Sequence, residues 1–217
     1  MSKEFFGNLS LISSFSVIIP LLVAIWKYNR LQKTQQTLVY LCVVILIVES
    51  VSNILWYYQK NNLPVYHFYT IVEFGLIIAI YKEELKKTFP YYFFYILFIG
   101  FLLFAITNMI FFQALTTFNS NATTLLGFLV IFLSLSYFYA LLKETVYSPL
   151  EKKPMFWINA GFLIYFSSNL ILFYVNNIMF PNPEPNEVSY LLWGLHAIVN
   201  IILIVFYTIS LWVNPRQ

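Results

Sequence analysis

At 217 residues, 60% hydrophobic, 21% aromatic and 10% charged, the chain has the composition of a bilayer protein, which excludes an ordinary soluble domain. The net charge of +3 sits in short lysine-bearing loops, a mark of membrane topology that excludes a nucleic-acid partner. Cys42 is the only cysteine, aspartate is absent, and His67 and His196 are the only histidines, so disulfides and thiolate metal clusters are excluded and few catalytic constellations remain.

The first residues, Met1 to Gly7, lack the basic start and small-residue cleavage site of a removable signal peptide, so the first span is expected to stay. Apolar runs of about 20 residues then recur, each long enough to cross a ~30 Å hydrocarbon layer. Seven spans are predicted, at about 8–26, 36–58, 64–81, 90–112, 122–142, 154–177 and 188–212. The first carries Pro20, tolerable in a span whose neighbours cover the freed carbonyl. Lys27–Lys33, Lys82–Lys87 and Lys143–Lys153 form charged loops on one side, and Gln59–Leu63 a tight turn on the other. Pro90 opens the fourth span, a position proline favours. Pro181, Pro183 and Pro185 make the connection before the last span extended and non-helical. The fold class expected is all-α: one seven-helix transmembrane domain over 1–217, with no soluble domain.

Lys27, Arg30, Lys33, Lys82, Lys86, Lys87, Lys143, Lys152, Lys153 and Arg216 share one side, against Lys3 and Lys60 on the other. By the positive-inside rule the N-terminus lies outside and the C-terminus in the cytoplasm. A shift of 116 residues lays spans one and two on five and six, pairing Lys27 with Lys143 and Ser52-Asn53 with Ser168-Asn169. A further shift of seven lays Glu73 on His196, a weak echo of a three-plus-one-plus-three duplication.

The residues that carry function are those costly to hold in lipid. Glu49, Glu73 and His196 each fall eight or nine residues from the outer end of their span, roughly 12–14 Å deep, with Ser168 and Asn169 at a similar level. Helical spacing puts Glu49, Ser52, Asn53 and Trp56 on one face of span two, and Tyr66, Tyr69, Thr70 and Glu73 on one face of span three. Tyr165 and Asn169 share a face of span six, and Ser189, Trp193, His196, Asn200 and Tyr207 form a stripe on span seven. Polar faces in lipid turn toward one another, so an outward-opening pocket of Glu49, Asn53, Trp56, Tyr69, Glu73, Asn169, Trp193, His196 and Asn200 is expected. Asparagines and serines there serve well as interhelical glue. A carboxylate at helix centre costs about 2.5–3.5 kcal/mol, more than one such contact returns, so the glutamates point to function. They suit proton sharing or a cationic or hydroxyl-rich ligand against aromatic walls. Glu49, Glu73 and His196 are also competent metal ligands, although no local spacing such as His-x-x-x-His supports a metal. His67, near the outer surface, reads as interfacial.

The layout is similar to that of rhodopsins, yet no lysine within a span is placed to hold retinal. It resembles small three-plus-one-plus-three sugar transporters without their Pro-Gln signature, since Leu21 follows Pro20. It is similar in span number to intramembrane hydrolases such as alkaline ceramidases, whose three histidines and aspartate this chain lacks. Seven-helix sensor regions of bacterial signalling proteins match in layout alone. The function expected is a small-ligand-binding sensory or receptor-like module, with no cofactor, that signals through a cytoplasmic or membrane partner. The alternatives are a small proton-coupled transporter and a membrane-embedded lipid hydrolase, with enzymatic activity the less favoured class. The Phe, Tyr, Ile, Asn and Lys bias fits an AT-rich bacterial genome, and hence the bacterial inner membrane.

Overall fold

The computed structural model describes the backbone of residues 3–144, 149–179 and 187–213, and the side chains of 5–144, 149–172 and 191–213. The proline-rich 180–186 segment lies outside the described residues, as do the side chains of Lys3, Ser189 and Arg216. Eight α-helices are described: α1 Lys3–Phe15, α2 Ile18–Lys27, α3 Lys33–Tyr57, α4 Leu63–Glu84, α5 Tyr91–Phe111, α6 Ser120–Leu142, α7 Pro154–Met179 and α8 Glu187–Trp212. They make seven segments long and apolar enough to cross a membrane, α1 and α2 together forming the first. This is an all-helical, multi-pass membrane protein.

Span one is not one helix. Pro20 has no N–H to give the Ser16 carbonyl one turn back, and its ring crowds that carbonyl. The chain tightens instead: the Ile19 amide donates to Ser16 O at 3.0 Å, and the Ser16 hydroxyl donates to Ser13 O at 2.6 Å. The break falls at Ser16–Val17. The corresponding span of the proposed duplication, α6, is continuous, so the fold lends the duplication no support.

Other ends follow local chemistry. Gln32 and Gln35 form a reciprocal capping box at the start of α3. At its far end Gln59 takes φ 54°, with its amide on Trp56 O and that of Lys60 on Leu55 O. This is the Schellman arrangement, with glutamine where glycine is the usual occupant. Pro64 lies in the first turn of α4, and Pro90 precedes α5. Helix α4 continues to Glu84, past the predicted end at Tyr81. The continuation is held by Lys33 Nζ on Glu83 (2.6 Å), the Thr34 hydroxyl on Glu84 (2.6 Å) and Lys82 Nζ 3.9 Å from the Tyr91 ring centre.

Helix α8 packs most extensively on α7 and also lies along α1 and α2; α7 packs on α6, and α6 on α4. Helix α4 pairs with α3, which returns to α2 and α1. The result is a ring of six spans with α5 outside it, in the groove between α4 and α6. At the ring's centre, Tyr81, Ser134 and Asn159 are wholly buried. The Ser134 hydroxyl donates to the Tyr81 oxygen and Tyr81 donates to Asn159 Oδ1, both at 2.7 Å, joining α4, α6 and α7. Ile25, Leu22 and Phe111 are among the large apolar side chains left facing outward, as a lipid solvent permits.

Candidate functional site

The Glu49 carboxylate joins three helices. Ser14 of α1 donates its hydroxyl to Glu49 Oε2 at 2.6 Å, and the Tyr66 hydroxyl of α4 lies 3.4 Å from Oε1. The same Tyr66 oxygen is 2.9 Å from Ser52 Oγ, which also accepts Asn62 Nδ2 at 2.7 Å. The helix pair α3–α4 supplies most of this cluster because Glu49 and Ser52, three residues apart, share one face. Ser14 comes from the last turn of α1 before the break, where the chain is already leaving helical geometry.

Glu73 accepts the Tyr69 hydroxyl at 3.0 Å, one turn away on the same helix. Tyr165 on α7 lies within electrostatic reach of both Glu73 and Glu49, and Tyr207 on α8 within reach of Glu73. The ring of Tyr165 is also 6.0 Å from that of His196. Tyr165 is thus a neighbour of the histidine and lies within electrostatic reach of the two glutamates. His196 Nδ1 meets Asn169 Oδ1 at 2.8 Å, a contact that places the ring proton on Nδ1. Trp193 packs edge-on against His196 and against Phe118 of the α5–α6 connection.

The nine residues expected to line one pocket divide. Glu49, Tyr69, Glu73, Asn169 and His196 gather around Tyr165 and Tyr66. Asn53 turns its amide back to the Glu49 carbonyl at 2.8 Å, committing one of its two amide protons locally. Asn200 faces α1 instead, donating to Ser13 Oγ at 2.9 Å while Ser13 donates to Ala197 O at 3.1 Å. Trp56 is 70% exposed near the end of α3, where no neighbouring helix covers its face, and Trp193 is 48% exposed. Trp56 instead borders a surface depression of about 620 Å³ with Tyr57, Gln59, Lys60 and Asn61.

Glu49, Glu73 and His196 do not form a ligand set: among the described residues no three of His, Cys, Asp or Glu lie close enough together to hold a metal ion. The groups come from α3, α4 and α8 and share Tyr165 as a neighbour without the close mutual approach that a shared metal ion needs. His67, in the first turns of α4, is 3% exposed, its Nε2 2.9 Å from Thr117 O of the α5–α6 connection. Ser13 and Ser14 were not among the expected site residues. Their signal was available, since paired serines lie three and two residues before a break that Pro20 imposes.

Among the described residues the ion pairs are Lys33–Glu83 and Lys153–Glu144, both close to helix ends. Glu49 and Glu73 are served by hydroxyls and take part in neither. An ionised carboxylate offers about four acceptor positions. Two hydroxyl neighbours at Glu49 and one at Glu73 leave room for a proton or an organic cation. No family model, curated protein or solved structure matches this chain.

Proposed function

We propose that this protein is a seven-helix module of the plasma membrane, the inner membrane of a bacterium, that binds a small ligand through Glu49 and Glu73 and acts as a sensor or receptor. The observation that carries the reading is two intramembrane carboxylates with hydroxyl donors and, among the described residues, no lysine or arginine partner. Charge of that kind is costly in a bilayer unless a proton or cationic group completes it. The lysine asymmetry sets the N-terminus outside, so the Glu49 end of the bundle faces outward and the basic loops offer a cytoplasmic or membrane partner its contact. Tyr66, Tyr69 and Tyr165 supply aromatic faces around the cation.

Thermal unfolding of the purified protein across a panel of soluble amines and polyols tests it. A ligand at 100 times its Kd raises stability by about 2.7 kcal/mol, a readily measured shift. The shift should shrink in Glu49→Gln and Glu73→Gln variants that fold normally. A ligand shift untouched by either substitution would remove the carboxylates from the site.

A second reading, a proton-coupled transporter using the same carboxylates, draws on the broken first span. Transporters place substrate and ion sites beside interrupted helices, and here Ser14 binds Glu49 within two residues of the interruption. Flux into proteoliposomes that needs both a pH gradient and Glu49 would favour it over the sensor.

A further inference from the structure

A groove of about 530 Å³ opens on the outer surface of the ring between α1 and the last turns of α3, lined by Phe15, Ser50, Asn53, Ile54, Tyr57 and Tyr58. These turns belong to a membrane span, so the groove faces bilayer over much of its length. Its sides are apolar and uncovered: Ile54, Tyr57 and Tyr58 are all more than half exposed. Its floor is polar. Ser50 gives its hydroxyl to Leu46 O and Asn53 its amide to Glu49 O, which leaves the Asn53 side-chain oxygen as an acceptor on the groove. One helical turn below Asn53, on the same face of α3, the Glu49 carboxylate accepts the Ser14 hydroxyl at 2.6 Å. A lipid-facing slot with an aromatic rim and an amide floor thus lies one helical turn from a carboxylate that has no counter-cation among the described residues.

We propose that the ligand is an amphiphile, a long alkyl or acyl chain carrying a protonated amine, that enters sideways from the bilayer along this groove. The inference rests on the reading of Glu49 as a ligand-binding carboxylate and specifies the ligand class and the route. The chain lies against Phe15, Ile54 and Tyr57. The ammonium displaces the Ser14 hydroxyl from Glu49, where its charge is matched, and donates in addition to the Asn53 oxygen. No water-filled mouth is required, because the occupant never leaves the membrane. A hydroxyl head would gain the hydrogen bonds but not the charge match, and a short soluble amine would gain the charge match without the groove contacts.

The test uses the full-length protein in lipid nanodiscs with a long-chain alkylamine bearing a diazirine midway along its chain. After photolysis, labelled positions are mapped by mass spectrometry. Labelling is expected on the peptides that carry Phe15 and Ile54–Tyr58. An excess of unlabelled long-chain amine should compete, and the matching long-chain alcohol should compete about tenfold less well, as expected when a charge-assisted contact is lost. Glu49→Gln, which preserves shape and hydrogen bonding, should lower labelling about tenfold. Ile54→Trp, which fills the groove and leaves the carboxylate intact, should do the same. Equal competition by alcohol and amine, or labelling indifferent to either substitution, would overturn the proposal. If soluble short-chain amines stabilise the wild type through Glu49 while the groove stays unlabelled, the lateral route fails and the binding site survives. If neither occurs, both fall.

Discussion

Replacing Tyr81 by phenylalanine removes one oxygen from the centre of the ring and nothing else. The hydroxyl donates to Asn159 on α7 and accepts from Ser134 on α6, at 2.7 Å each, while the ring packs 6.0 Å from that of Phe162. Phenylalanine keeps the ring, so no cavity opens and the cost is polar alone. Ser134 can redirect its hydroxyl to the carbonyl one turn back, as Ser136 does to Phe132 O at 2.8 Å, and so recovers much of its loss. Asn159 cannot: its Nδ2 still reaches Ser134 O at 3.3 Å, but Oδ1 is left without its donor in a wholly buried site. Interhelical hydrogen bonds within membranes contribute about 0.6–1.7 kcal/mol, and an abandoned buried acceptor lies at the upper end. Tyr81→Phe should therefore destabilise by about 1–2 kcal/mol in equilibrium unfolding from bicelles by added denaturing detergent. In an Asn159→Leu background the same substitution should cost clearly less, because the partner is already gone. A Tyr81→Phe protein within about 0.3 kcal/mol of wild type, or an equal cost in both backgrounds, would refute the reasoning.

Other substitutions probe different parts of the bundle. A Cβ at Gly161 would meet Phe206 Cβ at 2.9 Å and Leu203 Cδ1 at 3.1 Å, whereas one at Gly100 meets nothing within 4 Å. Gly161→Ala should cost about 1–3 kcal/mol by forcing α7 from α8, and Gly100→Ala should be neutral or stabilising in the same unfolding assay. Asn119 is 2% exposed and donates to Thr70 Oγ1 at 2.8 Å, tying the α5–α6 connection to α4. Asn119→Leu should lower stability by about 1–2 kcal/mol and raise hydrogen exchange across residues 112–119. Gln59 occupies left-handed backbone at φ 54°, so Gln59→Gly should stabilise by about 1 kcal/mol, visible as a higher thermal midpoint.

The spans were legible because lipid imposes one rule, about 20 apolar residues per crossing, and because Pro90 and Pro154 mark helix starts. Each break and overhang instead answers to a contact that a linear pattern does not contain. Lys82, Glu83 and Glu84 read as loop because they are charged, yet Lys33, Thr34 and Tyr91 receive them and the helix runs on. Pro20 was seen, and its consequence at Ser16–Val17 depends on how the preceding carbonyl is satisfied. For the candidate site, depth was readable from residue counts and helical face from spacing. Azimuth around the ring was not. Trp56 shares its face with Glu49 but lies about 10 Å further along the axis, beyond the cover of neighbouring helices, and is exposed. Asn200 shares a stripe with His196 yet meets α1, because α8 is wedged between α1 and α7 and shows different partners along its length.

That wedge dictates an order of assembly. Ser13 on α1 is matched with Ala197 and Asn200; Lys27 on α2 donates to Trp212 O at 2.6 Å, and Gln35 on α3 to Ser210 O at 2.7 Å. All four bonds join the first two spans to the seventh, so during synthesis the groups on the first two spans wait for their partners until the other spans have been inserted. Until α8 arrives the ring has an open seam, through which α1 and α2 have little to hold them beside α3. A chain halted before Glu187 would keep six spans long enough to insert and still lack the element that closes them. Quality-control proteases of the membrane, which engage unpaired polar groups and loosely held helices, should therefore remove such fragments faster than the whole protein, and the first span should be where they begin.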